Sequence, residues 1–212
     1  DGPAELLAQT VNTQPVMLTA GIAAWRLWLE KGGRKPAVVA GHSLGGNLAA
    51  AFTRLFPSVN ANAITINGAG FPTGNIPGGS GNAAGNIQNL FAKLGGAAGF
   101  DAARIQNVVG DGAKMVSMDS QYGLVQPGKP QLEIYLESHT ESTLGHGVTQ
   151  MVDSLALYDL FARLDPVLNA SAAQATLDKI TGILKASTAY AENTLETTLD
   201  AVRMLLKTNR VE

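Results

Sequence analysis

Apolar residues recur at helical spacing near the start of the chain and then give way to short continuous apolar runs. Between Thr13 and Lys31 they fall three or four positions apart, which is the spacing of one helix face. The pair Gly32-Gly33 ends this predicted helix, and Pro36 lies just beyond it. The apolar face consists of Val16, Met17, Ala20, Ala23, Ala24, Leu27 and Trp28.

The next three segments alternate between strand and helix patterns. "PAVVAG" at 36–41 is a short apolar run, typical of a buried strand. "GGNLAAAFTRLFP" at 45–57 predicts a helix that ends before Pro57, and "NANAITINGAG" at 60–70 predicts a second strand. Strand, helix and strand in this order predict a parallel βαβ unit, and therefore an α/β fold.

The middle of the chain predicts further strands around a glycine-rich segment. Residues 68–86 carry many glycines and two prolines, which predicts a loop, and a short helix follows in "GNIQNLFAKLG". "RIQNVVGDG" predicts a third strand that ends at Asp111. "AKMVSMD" and "QLEIYLES" predict two more strands, and a hairpin at the sheet edge is one arrangement for them.

Helices dominate the predicted C-terminal part. "GVTQMVDSLALYDLFARL" is amphipathic and stops at Asp165-Pro166. We therefore expect an α/β domain over residues 1–166 and a helical extension over 167–212. The extension packs on the domain or on a partner, and a homodimer through these helices is one possibility. Two apolar stripes define its helices: Leu177, Ile180 and Leu184, then Leu195, Leu199, Val202 and Leu206.

Composition narrows the classes of function. The chain has 212 residues, of which 45% are hydrophobic, so it can build a core of ordinary size. Its formal net charge is −2 without a basic run, which argues against nucleic acid as the main partner. Cysteine is absent, so disulfides and thiol nucleophiles are excluded. The three histidines do not have metal-ligand spacing, and we expect neither a metal nor a cofactor.

The segment "GHSLGG" follows the first predicted strand and opens the next helix. Gly41-x-Ser43-x-Gly45 matches the nucleophile elbow, in which a tight turn exposes a serine hydroxyl. The helix N-terminus favours developing negative charge, and the amide of Leu44 is the first candidate oxyanion donor. The alternative is a plain turn in which Ser43 only caps the helix.

A serine nucleophile requires a general base, and each of the three histidines is a candidate. His146 lies in Gly145-His146-Gly147 before the long helix, on a loop able to reach the end of the sheet, and we predict it as the base. His139, which follows the strand "QLEIYLES", is the alternative. His42 adjoins Ser43 and should point away from it, which favours a structural role.

The orienting acid of such a triad comes from a strand end between the serine and the histidine. Asp111 fits this place, directly after "IQNVVG", and we predict it as the acid. Gly-Asp-Gly is also good turn chemistry, so a purely structural role stays open. Asp119 is the second candidate and Asp101 the third.

Two resemblances meet at the serine. "GHSLGGNLAAAFTRLFP", "ITINGAGF" and "LGHGVTQMVDSLALYDLFARLDP" resemble bacterial lipase-like α/β hydrolases, such as those found as modules in large secreted repeat-containing toxins. That resemblance covers about residues 41–166. It implies a small three-layer α/β-hydrolase-like sandwich with a mostly parallel sheet, and Ser43, Asp111 and His146 as its triad.

Residues 1–45, "DGPAELLAQTVNTQPVMLTAGIAAWRLWLEKGGRKPAVVAGHSLG", are similar to malonyl-CoA:acyl carrier protein transacylases. Those enzymes also use a serine in a GHSLG turn. They usually continue with glutamate, where this chain has Gly46. The sequence therefore resembles a chimera of two serine acyl-transfer proteins joined at the elbow. The two resemblances imply different locations, cytoplasmic for the transacylase part and secreted for the lipase part.

The leading interpretation is a serine hydrolase of lipid or short acyl esters, with the glycine-rich loop as a lid. An acyl or malonyl transferase is the alternative, and Arg34 and Arg54 are its weak candidates for binding a carboxylate or phosphate. A non-catalytic chimeric scaffold is the third. Because one helix and one strand precede Ser43, we expect a small sheet and an oxyanion hole that lacks its second donor.

Overall fold

A four-stranded parallel sheet forms the centre of the protein in the computed structural model, which describes residues 10–76, 81–111, 122–137, 146–164, 174–189 and 194–205. Its strands lie side by side in chain order: β1 (Val38–His42), β2 (Asn62–Ile66), β4 (Ile105–Gly110) and β6 (Leu132–Ile134). A separate antiparallel pair joins β3 (Phe71–Pro72) to β5 (Leu124–Val125). The helices are α1 (Thr10–Glu30), α2 (Leu44–Leu55), α3 (Ala83–Lys93), α4 (Val148–Leu164), α5 (Gln174–Thr188) and α6 (Leu195–Leu205). None of these described helices is both long and apolar enough to cross a bilayer.

The predicted βαβ unit is present as β1, α2 and β2. The two strands pair in parallel, with Val38 opposite Asn62 and His42 opposite Ile66. β4 continues the sheet on the other side of β2, and β6 pairs in parallel with β4. All four strands therefore end at one edge, where ligand sites of open α/β sheets form.

Side-chain alternation along the strands separates two hydrophobic clusters. Ala63 and Ile105 lie on one face of the sheet and pack with residues of α1, α2 and α3. Ile66 and Val108 lie on the opposite face and pack against the cluster of α4, α5 and α6. The helices thus cover both faces, which confirms the predicted three-layer α/β architecture.

The C-terminal helices pack on the end of β6. The hydroxyl of Ser154 donates to the Tyr135 carbonyl at 2.6 Å, and the Tyr135 amide donates to the Tyr158 hydroxyl at 3.1 Å. The predicted apolar stripes of α5 and α6 supply buried residues of the same cluster, namely Ile180, Leu184, Leu195 and Leu199. Their burial within the chain accounts for these stripes, while the predicted homodimer and the boundary at 166 remain predictions.

Two details of the middle segment differ from the sequence-based expectation. The expected loop at 68–86 contains β3, and helix α3 already begins at Ala83. The Thr73 amide donates to the Gly123 carbonyl at 2.7 Å, which ties this segment to the start of β5. A two-residue pairing with a distant segment leaves no periodic pattern in the sequence. "QLEIYLES" contains β6, parallel to β4, whereas "AKMVSMD" lies outside the described residues.

Arg54 is buried, with 3% of its surface exposed, and it joins α2 to the segment after α3. Its Nε donates to the Ala97 carbonyl at 3.0 Å, and its Nη2 donates to the Ala98 carbonyl at 2.9 Å and to Gln88. The guanidinium also lies 4.3 Å from the centre of the Phe91 ring. These contacts show Arg54 as a packing residue of the core.

We predict that Arg54→Lys lowers the free energy of unfolding by about 2 kcal/mol, because an ammonium cannot reproduce the planar fork of donors. Urea denaturation followed by circular dichroism measures the difference. Arg26→Lys, at an exposed position of α1, is the matched control and should change stability by less than about 0.5 kcal/mol. Equal effects of the two substitutions would contradict the structural role of Arg54.

Candidate active site

Ser43 stands between the end of β1 and the start of α2 in a strained backbone conformation. Its φ is 52° and its ψ is −120°, a region that residues with a side chain rarely occupy. Such a conformation costs on the order of 1–3 kcal/mol and persists only where the surroundings enforce it. Strain at the serine is the expected property of a nucleophile elbow.

The Ser43 hydroxyl does not cap α2. Its side chain makes no capping hydrogen bond, although it occupies the N-cap position. The backbone carbonyl of Ser43 instead accepts the amides of Gly46 at 3.0 Å, Asn47 at 3.2 Å and Ala69 at 2.9 Å. In this structure Ser43 is therefore not a simple N-cap of α2. The Leu44 amide, the predicted oxyanion donor, holds the first helical position, where no carbonyl of the same helix can accept it.

Close backbone packing explains two of the three glycines around Ser43. A Cβ on Gly41 would lie 2.2 Å from the carbonyl carbon of Gly45, and a Cβ on Gly46 would lie 2.9 Å from the Cα of Gly68. A Cβ on Gly45 would meet nothing within 4 Å. The sequence motif suggested that Gly41 and Gly45 are both needed, but the crowded positions are Gly41 and Gly46.

His146 lies against His42, on the sheet face that α4 covers. The two imidazole rings are 4.9 Å apart between centroids, and His42 Nε2 donates to the His146 carbonyl at 2.6 Å. His42 was expected to have a structural role, and this contact gives it one, because it fixes the backbone of the predicted base. The bond also requires that the neutral His42 ring carries its proton on Nε2.

Asn67 contacts the candidate site and was not named by the sequence analysis. It follows β2, is fully buried and has a φ of 43°. Its Oδ1 accepts the Gly110 amide at 2.9 Å, and its Nδ2 lies 3.4 Å from the His146 carbonyl. Asn67 therefore joins the ends of β2 and β4 to the backbone of His146, the predicted base. The sequence did contain one signal for Asn67, since it directly follows a predicted strand and asparagine tolerates the positive φ of a sharp turn.

The His146 ring has a low proton affinity. Burial, and secondly the nearby charge of His42, lower the pKa of the His146 imidazole below its ordinary value of about 6.5. The ring is therefore neutral near pH 7, as a general base must be. Its Nδ1 is buried and has no hydrogen-bond partner among the described residues.

Asp111 stands at the end of β4, as the sequence predicts, and its carboxylate contacts the end of β6 and α5. Oδ1 accepts the Leu136 amide at 2.7 Å, and Oδ2 lies 3.9 Å from Lys185 Nζ. Since His146 Nδ1 has no partner, it does not donate to Asp111 in this structure. The role of Asp111 as the orienting acid stays a prediction, and its contacts with Leu136 and Lys185 join secondary-structure elements.

The remaining candidates lie away from these contacts or outside the described residues. Asp101 caps a 3₁₀ turn by accepting the Ala103 amide at 3.1 Å, and it pairs with Arg104 at 3.0 Å. His139 and Asp119 fall outside the described residues. Among the residues the structure does describe, no group of three or more metal-binding side chains occurs.

The N-terminal part of the chain is similar to curated enzymes named malonyl CoA-acyl carrier protein transacylase. It is 59% identical over 44 residues to the one from Salmonella typhimurium, 57% over 44 residues to the one from Escherichia coli K12, and 56% over 45 residues to the one from Haemophilus influenzae. Each match covers 21% of this chain and 14% of the relative, so the chain spans about one seventh of the length of these relatives. No family model matches the chain. The matches support the transacylase resemblance of the N-terminal part and give no support to a lipase-like segment.

We predict opposite responses to alanine at two glycines of the elbow. Gly41→Ala should lower the free energy of unfolding by about 3 kcal/mol or more, because its methyl group would overlap the Gly45 backbone. Gly45→Ala should be neutral or slightly stabilising, because its methyl group meets open space in a helix. Urea denaturation of both variants is the measurement. Loss of stability in both, by similar amounts, would contradict the close packing at Gly41 and the open space at Gly45.

The pKa of His146 predicts a dependence of stability on pH. Since folding lowers this pKa, the unfolded chain binds more protons below about pH 6.5, and acid favours unfolding. The loss of stability caused by His146 is absent above pH 6.5 and grows as the pH falls towards the lowered pKa. We expect wild type to lose more stability than His146→Gln between pH 7.5 and pH 5.5 in urea denaturation. An identical loss in both proteins would show that His146 is not the group responsible.

Proposed function

We propose that Ser43 is the nucleophile of an acyl-transfer enzyme that takes acyl groups from thioester or ester donors. The observation that carries the proposal is the strained, non-capping conformation of Ser43 between β1 and α2. A serine used only as a cap would gain a hydrogen bond and avoid the strain. Similarity of the N-terminal part to transacylases supports the same chemistry.

In the proposed reaction, His146 accepts the proton of the Ser43 hydroxyl as the oxygen attacks the donor carbonyl. The negative charge that develops on the carbonyl oxygen is stabilised by the Leu44 amide and by the N-terminus of α2. The thiol or alcohol leaves with a proton from His146, and an acyl ester remains on Ser43. An acceptor then takes the acyl group by the same steps in reverse. Asp111 is the proposed group that stabilises the imidazolium.

Transfer to a carrier thiol is favoured over hydrolysis by the similarity to transacylases. Arg54 is not a suitable anion-binding group for a carrier or a malonyl carboxylate, because its donors are used within the core. Arg34 is exposed, and its carbonyl accepts Trp28 Nε1 at 2.9 Å. Hydrolysis of carboxylic esters is the second candidate, since water could replace the acceptor at the same acyl-enzyme.

We predict that a fluorophosphonate probe labels Ser43 and that mass spectrometry of the digested protein locates the adduct there. Ser43→Ala should abolish the adduct. His146→Ala should slow its formation by about 10²–10⁴-fold, which is the usual range for loss of a general base. Circular dichroism of each variant establishes that it is folded. No adduct on folded wild type would overturn the proposal and favour a non-catalytic scaffold.

A second measurement separates transfer from hydrolysis. Wild type is incubated with malonyl-CoA, or with p-nitrophenyl acetate, in the presence and absence of pantetheine. Acyl-pantetheine formation that depends on Ser43 supports the transferase. Acid release that pantetheine does not divert supports the hydrolase and contradicts transfer to a carrier.

A further inference from the structure

A small apolar pocket lies between α1 and α2. Its volume is about 140 Å³ and it opens to the surface, where Met17 is 44% exposed. Among the described residues, those that line the rest of the pocket are aliphatic or aromatic apart from one glycine. Those side chains belong to Leu18, Ile22, Leu48, Phe52, Leu55 and Phe56.

The glycine of the lining is Gly21, in the interior of α1. A helix-interior glycine costs about 1 kcal/mol relative to alanine, so it calls for a reason. Its φ is not positive, and a Cβ built on it would meet nothing within 4 Å, so neither backbone conformation nor crowding requires glycine at this position. The absence of a side chain at Gly21 leaves the pocket open.

One wall of the pocket is held by aromatic packing. The Trp25 ring meets Phe52 edge to face with a centroid distance of 5.1 Å, and Phe52 lies 5.0 Å from Phe56. Rings packed in this way resist the collapse that would otherwise fill a small cavity. The pocket is therefore an open space with a supported wall.

The lining decides what the pocket can hold. The described side chains of this lining offer a water molecule no hydrogen-bond partner, so an apolar group that displaces water from them breaks no hydrogen bond to a side chain. In another protein an enclosed apolar cavity of about 150 Å³ binds benzene, which shows that a space of this size holds about six carbon atoms. We propose that the pocket between α1 and α2 is a binding site for an apolar hydrocarbon group of about six carbon atoms. It goes beyond the acyl-transfer proposal, because no lining residue belongs to the elbow.

The experiment uses n-hexanol as the probe and Trp25 as the reporter. The chain has two tryptophans, so Trp28→Phe leaves Trp25, which touches the wall residue Phe52, as the single fluorophore. We expect the Trp25 emission to change with a saturable dissociation constant on the order of 1 mM. 1,6-Hexanediol, of the same length, should bind at least about tenfold more weakly, since its second hydroxyl would be buried without a partner.

A matched pair of substitutions ties the signal to the pocket. Gly21→Leu fills the space and should weaken n-hexanol binding by at least about tenfold. Gly182→Leu makes the same change in the interior of α5, where an added Cβ also meets nothing within 4 Å, and should leave binding unchanged.

A signal that does not saturate, equal binding of hexanol and hexanediol, or folded Gly21→Leu that binds like wild type would each overturn the proposal. The comparison of the two alcohols needs no substitution in the pocket. Binding of n-hexanol and the reaction of Ser43 with the fluorophosphonate are separate measurements. Either proposal can therefore fail without the other.

Discussion

The conformation of Ser43 is the constraint on which the candidate site depends. Three backbone segments approach one another too closely for side chains: the end of β1 at Gly41, the first turn of α2 at Gly46, and Gly68 after β2. The Ser43 carbonyl accepts amides from two of these segments, α2 and the chain after β2. The strain at the serine is therefore enforced from several sides.

The predicted base is held in a different way, through its backbone. His42 and Asn67 both direct a donor at the His146 carbonyl, and Asn67 also binds the Gly110 amide. These groups come from the ends of β1, β2 and β4, which the parallel register brings to one edge of the sheet. The loop before α4 is thus connected to the same edge of the sheet that carries Ser43, the predicted nucleophile. The position of His146 is thus set through its backbone, while its Nδ1 has no hydrogen-bond partner among the described residues.

The layer that a residue faces decides which contacts it makes. His42 faces the helical layer of α4 and contacts His146, the predicted base, whereas the neighbouring Gly41 faces α2 and permits its close approach. Arg54, a candidate for anion binding by sequence, instead donates to carbonyls inside the first layer. In the described residues, β2 is the only neighbour of β1 in the sheet. Among these residues, β1 therefore lies at one edge of the four-stranded sheet.

The sequence by itself determined the class of fold, the order of the main elements and the place of Ser43. Local signals suffice for these features: helical spacing in α1, an apolar run in β1, and glycines around a serine between a strand and a helix. It also placed Asp111 at a strand end, since this follows from the neighbouring residues.

Only the tertiary structure decided the contacts between distant segments. The β3–β5 pairing, the role of Asn67, the burial of Arg54 and the partners of Asp111 join residues far apart in the chain. Periodicity carries no information about such partners. The same limit applies to the glycines, because the motif names Gly41 and Gly45, while crowding by Gly68 from beyond β2 selects Gly46. A local pattern can specify where a turn occurs, but the segments packed against that turn decide which of its residues must be small.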